Sequence, residues 1–193
     1  VDRNGDGVIS YEQDRGYVGA AAYPKFVGGL SFSGDWKGID LSFLFQAGLG
    51  RDVALTGVYS GGIMDNTQMT KPFYHGGNSP KYLVENSWRE DNTNAEFPRL
   101  SIVQASSNNA YSSTFWYRSG DYLRLKNLQI GYTFPQKWMS RIGIDRLRIY
   151  FEGQNLWTVS ELTKFNIDPE QPGVSNGYYP QQRIFSFGVN LAF

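Results

Sequence analysis

The chain of 193 residues balances 18 Lys and Arg against 18 Asp and Glu, so no basic surface marks it for nucleic acid. It contains no cysteine, which excludes disulfides and thiolate chemistry. Mean hydropathy is −0.43, and no uninterrupted apolar run approaches the roughly 18 residues of a membrane helix. A membrane barrel escapes that exclusion, because it hides its apolar residues at every second position.

Residues 1–23 open with DRNGDGVISYEQDR. Asp2, Asn4 and Asp6 sit at alternate positions and Gly7 follows. This is the first half of an EF-hand-like loop, where three oxygen-bearing side chains converge on Ca2+ once a glycine permits the sharp turn. The Val8 carbonyl is the next expected ligand, and Ile9 the apolar anchor beneath. The twelfth position needs a bidentate carboxylate but holds Gln13; Glu12 and Asp14 flank it, and the closing ligand stays open between them. No flanking helices are evident. The alternative is a glycine-rich turn with solvated acids. The chain starts inside this motif without a signal peptide, so we expect it to be the C-terminal part of a longer protein.

Lys25 to Ser33 puts Phe26, Leu30 and Phe32 on one parity, and Gly34-Asp35-Trp36-Lys37-Gly38 reads as a tight connection. Ile39 to Leu49 then alternates: Ile39, Leu41, Phe43, Phe45, Ala47 and Leu49 are apolar, against Asp40, Ser42, Gln46 and Gly48. Residues 50–118 show no sustained period and are rich in Gly, Asn, Ser, Thr and Pro, with a short helix expected around Lys81–Asn86. A loop this long is out of place in a compact domain but normal on the outer side of a membrane barrel.

Gly120 to Phe134 alternates in two halves of opposite parity, Leu123 and Leu125 against Leu128, Ile130, Tyr132 and Phe134. Either a bulge near Lys126 reconciles them, or Arg124 and Lys126 stand above the membrane. After a turn with Trp138, Ile144 to Trp157 shows Leu147, Ile149, Phe151 and Trp157 on one face and Arg146, Arg148, Glu152 and Gln154 on the other. A second loop, about 158–181, leads to the last strand, QRIFSFGVNLAF. There Phe185, Phe187, Val189, Leu191 and Phe193 share one face.

The predicted strands are therefore about 25–33, 39–49, 120–134, 144–157 and 182–193. Their connections run long, short, long, short, long. Every short turn falls on one side and every long loop on the other, as in outer-membrane barrels. Five strands cannot close such a barrel, which needs at least about 8, so further strands are expected upstream. The polar row Asp40, Gln46, Arg146, Arg148, Glu152 and Gln154 is expected to line the lumen. Trp36, Phe134 and Trp138 at the short-turn end, and Trp116, Tyr117, Tyr122 and Trp157 at the long-loop end, fit interfacial girdles. The loop aromatics Tyr74, Trp88, Tyr111, Tyr178 and Tyr179 are candidates for contact with a sugar ring or a partner, or for holding the loops together. Nothing supports catalysis: His75 is the only histidine and sits in a loop without triad or zinc-site partners at a recognisable spacing.

Several segments, in order, resemble the C-terminal part of the SusC/RagA family of TonB-linked outer-membrane proteins of Bacteroidetes. They are DRNGDG, PKFVGGLSF, WKGIDLSFLFQAGLG, NTNAEFPRL, FWYRSGDYLRLKNLQIGYTFP, LRIYFEGQNLW, IDPE and YPQQRIFSFGVNLAF. The resemblance implies the last strands of an all-β, antiparallel up-and-down barrel of about 22 strands with a plugged lumen. The final strand also resembles the signal read by the outer-membrane assembly machinery, through Ser186, Gly188, Leu191 and Phe193. Family members import oligosaccharides, and in some cases peptides, with energy from the TonB complex. A SusD-like surface lipoprotein is their partner. A secreted carbohydrate-binding β-sandwich is the rival reading.

Overall fold

The computed structural model describes residues 2–10, 12–17, 21–55, 80–100, 113–172 and 181–193. Its frame is one antiparallel sheet of β1 (Phe26–Trp36), β2 (Ile39–Leu49), β5 (Tyr122–Thr133), β6 (Arg146–Ser160) and β7 (Ile184–Ala192), neighbours in that order. A two-stranded ribbon, β3 (Asp52–Ala54) with β4 (Tyr117–Ser119), stands at one end. The fold is all-β with an up-and-down order; the described helices are short, α1 (Lys81–Glu85) and α2 (Gln136–Met139) among them.

β1 runs to Trp36, three residues beyond the predicted end. The turn to β2 needs only Lys37 and Gly38, both at positive φ (50° and 88°), the geometry of a two-residue hairpin whose twist matches its strands. A side chain at position 38 would press its Cβ to 2.6 Å from the Thr133 carbonyl oxygen, so glycine is required there. The second short connection is the helical turn α2, closed by Gly143 at φ 75°.

β6 also outruns its prediction, by three residues, to Ser160. Trp157, Thr158, Val159 and Ser160 pair with Leu125, Arg124, Leu123 and Tyr122. The register shifts at Lys126 against both neighbouring strands, and Asn155 on β6 takes positive φ (52°) at the same level. This is the bulge that the two half-parities of β5 require. It keeps Leu123, Leu125, Leu128 and Ile130 on a single face of the sheet.

The register gives the sheet two unlike faces. On one, Phe32, Phe43, Phe45, Leu128, Ile130, Ile149, Phe151, Phe187 and Val189 stand together. Phe32 stacks on Phe43 with ring centroids 5.4 Å apart, and Phe151 lies 5.2 Å from Phe187. This face is uncovered: Leu30 is 65% exposed and Phe187 82%. The other face carries Asp40, Ser42, Gln46, Gln129, Arg148, Glu152, Ser186 and Asn190.

The buried core lies off the sheet. Val53, Leu55, Leu83, Phe97, Trp116, Leu162 and Phe165 form one cluster, with Tyr82, Leu100 and Ile167 packed against it. These residues come from the described parts of the long connections, which form a cap at the β3–β4 end. Main-chain bonds tie the pieces together: Leu55 N–H to Trp116 O (2.7 Å), Trp88 N–H to Phe97 O (2.9 Å) and Phe97 N–H to Asn86 O (2.9 Å). Of the long connection read as loop, the described parts thus contain a strand pair, a helical turn and most of the core.

Candidate functional site

Three places gather functional side chains. The first is the middle of the polar face. Arg148 donates through Nε to Asp40 Oδ1 at 2.9 Å and through Nη2 to Oδ2, a two-point ion pair spanning from β6 to β2. It crosses over Gly131 of the intervening strand, where an added Cβ would lie 2.5 Å from the Asp40 carboxylate. Gly188 leaves room in the same way for the Tyr150 ring, on which the Arg148 guanidinium rests at 4.7 Å. Glu152 accepts from Gln154 Nε2 at 3.3 Å. The predicted row Asp40, Gln46, Arg146, Arg148, Glu152 and Gln154 thus shares one face by register.

The second place is the loop end of the same face. Arg124, only 3% exposed, donates to Thr158 Oγ1, Glu170 Oε2, Gln181 Oε1 and Asp168 Oδ2, each at 2.9 Å. Lys126 Nζ reaches both Glu170 oxygens at 3.2 and 3.0 Å, and Gln181 at 3.2 Å. Sequence reasoning did not assign this cluster. Its signal was two cations on one strand and the acid pair Asp168 and Glu170 around Pro169.

The third is the cap. Glu96 accepts from Tyr82 Oη (2.7 Å), Arg118 Nη2 (3.1 Å) and Lys164 Nζ (3.3 Å). Burial alone would raise its carboxyl, but the three donors outweigh burial and hold it below its ordinary value. The Tyr82 phenol is pushed up to about 12 by donating to that carboxylate and by desolvation. Beside Glu96, Trp88, Phe97, Arg99 and Phe115 line an open cavity of about 490 Å³. Trp88 and Phe115 are partly exposed there. The other loop aromatics named above, Tyr74, Tyr111, Tyr178 and Tyr179, lie outside the described residues, as does His75.

Two girdle assignments are corrected. Trp116 is buried in the cap core, its ring 6.1 Å from that of Phe97, and Tyr122 is buried on the polar side, where its hydroxyl accepts from Gln46 Nε2 at 3.0 Å. Both need a partner for a polar tip or a large ring, and the protein supplies one where lipid would not. Trp36, Trp138 and Trp157 are exposed, as an interface position requires.

The acidic loop closes on itself. Asp2 accepts from the amides of Gly5 (2.7 Å) and Gly7 (2.8 Å), Asn4 Oδ1 from Asp6 N (3.1 Å), and Asp6 from Val8 N (2.8 Å). Gly5 and Gly7 take the positive φ this path demands, 78° and 80°. Asp14, not Glu12, returns to the loop, accepting from Arg3 N and Ser10 N at 2.6 Å each. Those amides, Arg3 first, hold the Asp14 carboxyl below its ordinary range. Among the described residues no three His, Cys, Asp or Glu side chains are close enough to hold a metal. The oxygen-only set of Asp2, Asn4, Asp6 and the Val8 carbonyl fits the chemistry of a hard cation, but its acids number two.

A single sheet with one polar and one uncovered apolar face, capped at one end by folded loops, has the form of a segment of β-barrel wall. No family model matches the chain. Over its whole length it is 29% identical to the TonB-dependent receptor P3 of Formosa agariphila, 27% to receptor P26 of the same organism, and 26% to the TonB-dependent receptor SusC of Bacteroides thetaiotaomicron. It spans 18%, 19% and 17% of those proteins, about a fifth of their length. It superposes on the RagAB peptide transporter with a TM-score of 0.62 and 25% identity, covering 91% of this chain and 18% of that one. On the RagAB peptide importer in its open-open state the TM-score is 0.57 and the identity 26%, over 90% of this chain and 18% of that one. The chain matches a segment of the TonB-dependent receptors of the SusC/RagA type, proteins that are transporters rather than enzymes.

Proposed function

We propose that this chain is part of the wall and outer loops of an outer-membrane nutrient importer driven by the TonB complex. The observation that carries the reading is the pairing of an uncovered apolar face with a polar face that carries its own ion pairs, and with loops folded at one end only. The apolar face meets lipid; the polar face lines a lumen; the mechanism is binding and gated passage, without covalent chemistry. The free edges of β1 and β7 pair with further strands of the barrel wall, since an unpaired edge in lipid is costly. A soluble β-sandwich would need a second sheet over Phe32, Phe43 and Phe187. Among the described residues the five long strands form one sheet.

The cargo we propose first is an oligosaccharide, captured with a SusD-like lipoprotein, with the partly exposed Trp88 beside the cap cavity as a contact for cargo or for that partner. The likeness to the RagAB peptide transporter supports a second reading, a peptide. The test is TonB-dependent uptake by cells carrying the full-length receptor, given labelled oligosaccharides or labelled peptides. The accumulating class names the cargo. Free solubility of the full-length protein in detergent-free buffer sinks the importer reading.

We also propose that the acidic loop binds Ca2+, with Asp2, Asn4, Asp6 and the Val8 carbonyl as ligands and Asp14, which folds back onto the loop, closing it in place of Glu12. The full-length receptor should melt at a higher temperature in millimolar Ca2+ than in chelator, a common mass-action effect. Asp2→Ala with Asp6→Ala should abolish that difference; an undiminished shift in the double variant rules the loop out as its source.

A further inference from the structure

The cluster around Arg124 has a role that neither lipid contact nor a generic lumen wall requires. The connection from β6 to β7 first gives Leu162 and Phe165 to the cap core and could have stayed there. Instead, its Asp168-Pro169-Glu170 segment folds back over the polar face. Two cations of the wall, Arg124 and Lys126, meet two carboxylates of the connection, Asp168 and Glu170. The carboxylates are largely shielded too: the Asp168 side chain is 9% exposed and that of Glu170 10%, against 4% for Arg124. Gln181, at the far side of the connection, joins the same network through Arg124, Lys126 and Glu170. Arg51, from the β2–β3 corner, adds a bond to the Pro169 carbonyl at 3.2 Å. The bulge at Lys126 is what lets a second cation reach the acids while the leucines on either side stay on the apolar face.

We propose that this is a charge latch. It fixes residues 166–172, after β6, inward as an immobile lip at the mouth of the lumen, with Arg124 and Lys126 as its positioning residues. The proposal rests on the barrel reading for the word lumen, and on geometry alone for the latch. Buried, mutually satisfied pairs are screened little by salt and hold one arrangement, which suits a fixed lip better than a lid. Cargo then passes the lip without displacing it, and the lip limits what fits.

Amide hydrogen exchange on the purified full-length receptor tests this, read on peptides covering residues 166–172, beyond the cap residues Leu162 and Phe165. Wild-type protein should protect these peptides equally in 1 M salt and in low salt. A mixture of malto-oligosaccharides and a tryptic casein digest should each leave the protection unchanged. Asp168→Asn with Glu170→Gln should raise the exchange at least tenfold while β5 and β6 keep theirs. Lys126→Gln, at a site that tolerates change better, should raise it a few-fold. Unchanged exchange in both variants overturns the latch, and loss of protection on adding either cargo mixture overturns the immobile lip. Where the double variant fails to assemble, Lys126→Gln decides. Failure of the receptor to sediment with outer membranes would sink the barrel reading while leaving the exchange result to judge the latch.

Discussion

Phe187→Arg in the full-length receptor is expected to cost about 2–4 kcal/mol of barrel stability and to lower the amount assembled in the outer membrane. Phe187 sits mid-strand on β7, 82% exposed, on the face that carries Phe151, Phe32 and Phe43. In the proposed barrel a guanidinium there would face hydrocarbon. Gln129→Arg, on the opposite face and in register with Glu152, should be tolerated, because the new charge meets a carboxylate in a polar setting. Urea unfolding in lipid vesicles gives the comparison. Equal effects of the two substitutions would mean that the two faces do not meet different solvents.

Phe97→Ala should cost the cap about 3–5 kcal/mol, enough to unfold it locally. Phe97 is 2% exposed and is the hub of the cap, with the Trp116 ring stacked at 6.1 Å and the Tyr82 and Phe165 rings edge-on at 6.3 and 6.4 Å. Its backbone also joins Asn86 to Trp88. Hydrogen exchange should therefore rise through residues 80–100, 113–119 and 161–165, with the strands of the wall unaffected. Protection that stays intact in the cap, or falls equally in cap and wall, would refute the cap as a separate packing unit.

How much of this was legible beforehand follows from where the side chains find their partners. Ile39 to Leu49 could be read directly, because each residue's face is fixed by parity and each face meets one environment. The bulge at Lys126 was also visible, as a change of phase between Leu125 and Leu128. Thr158 to Ser160 continues the alternation of β6, but three residues after a tryptophan are too few to separate strand from loop. The cap was invisible for another reason. Val53, Leu83, Phe97, Trp116 and Phe165 come from five separate segments, one or two residues at a time, and no local period can register such a core. For the same reason Trp116 read as a surface ring. Arg124 and Asp168 are 44 positions apart, so their pairing has no local signature either.

The separation of core from wall means that two parts of one chain owe their order to different media. The cap is held by expulsion of water, a force that fades on cooling and weakens in urea. In the barrel proposed above, the wall's apolar side would meet hydrocarbon, and its ladder of main-chain bonds, which nothing in a lipid tail can replace, would hold it. Cold and denaturant therefore dissolve the outer decoration first and leave the cylinder standing. A lineage can redraw what it displays to the outside, residue by residue, without renegotiating its place in the membrane.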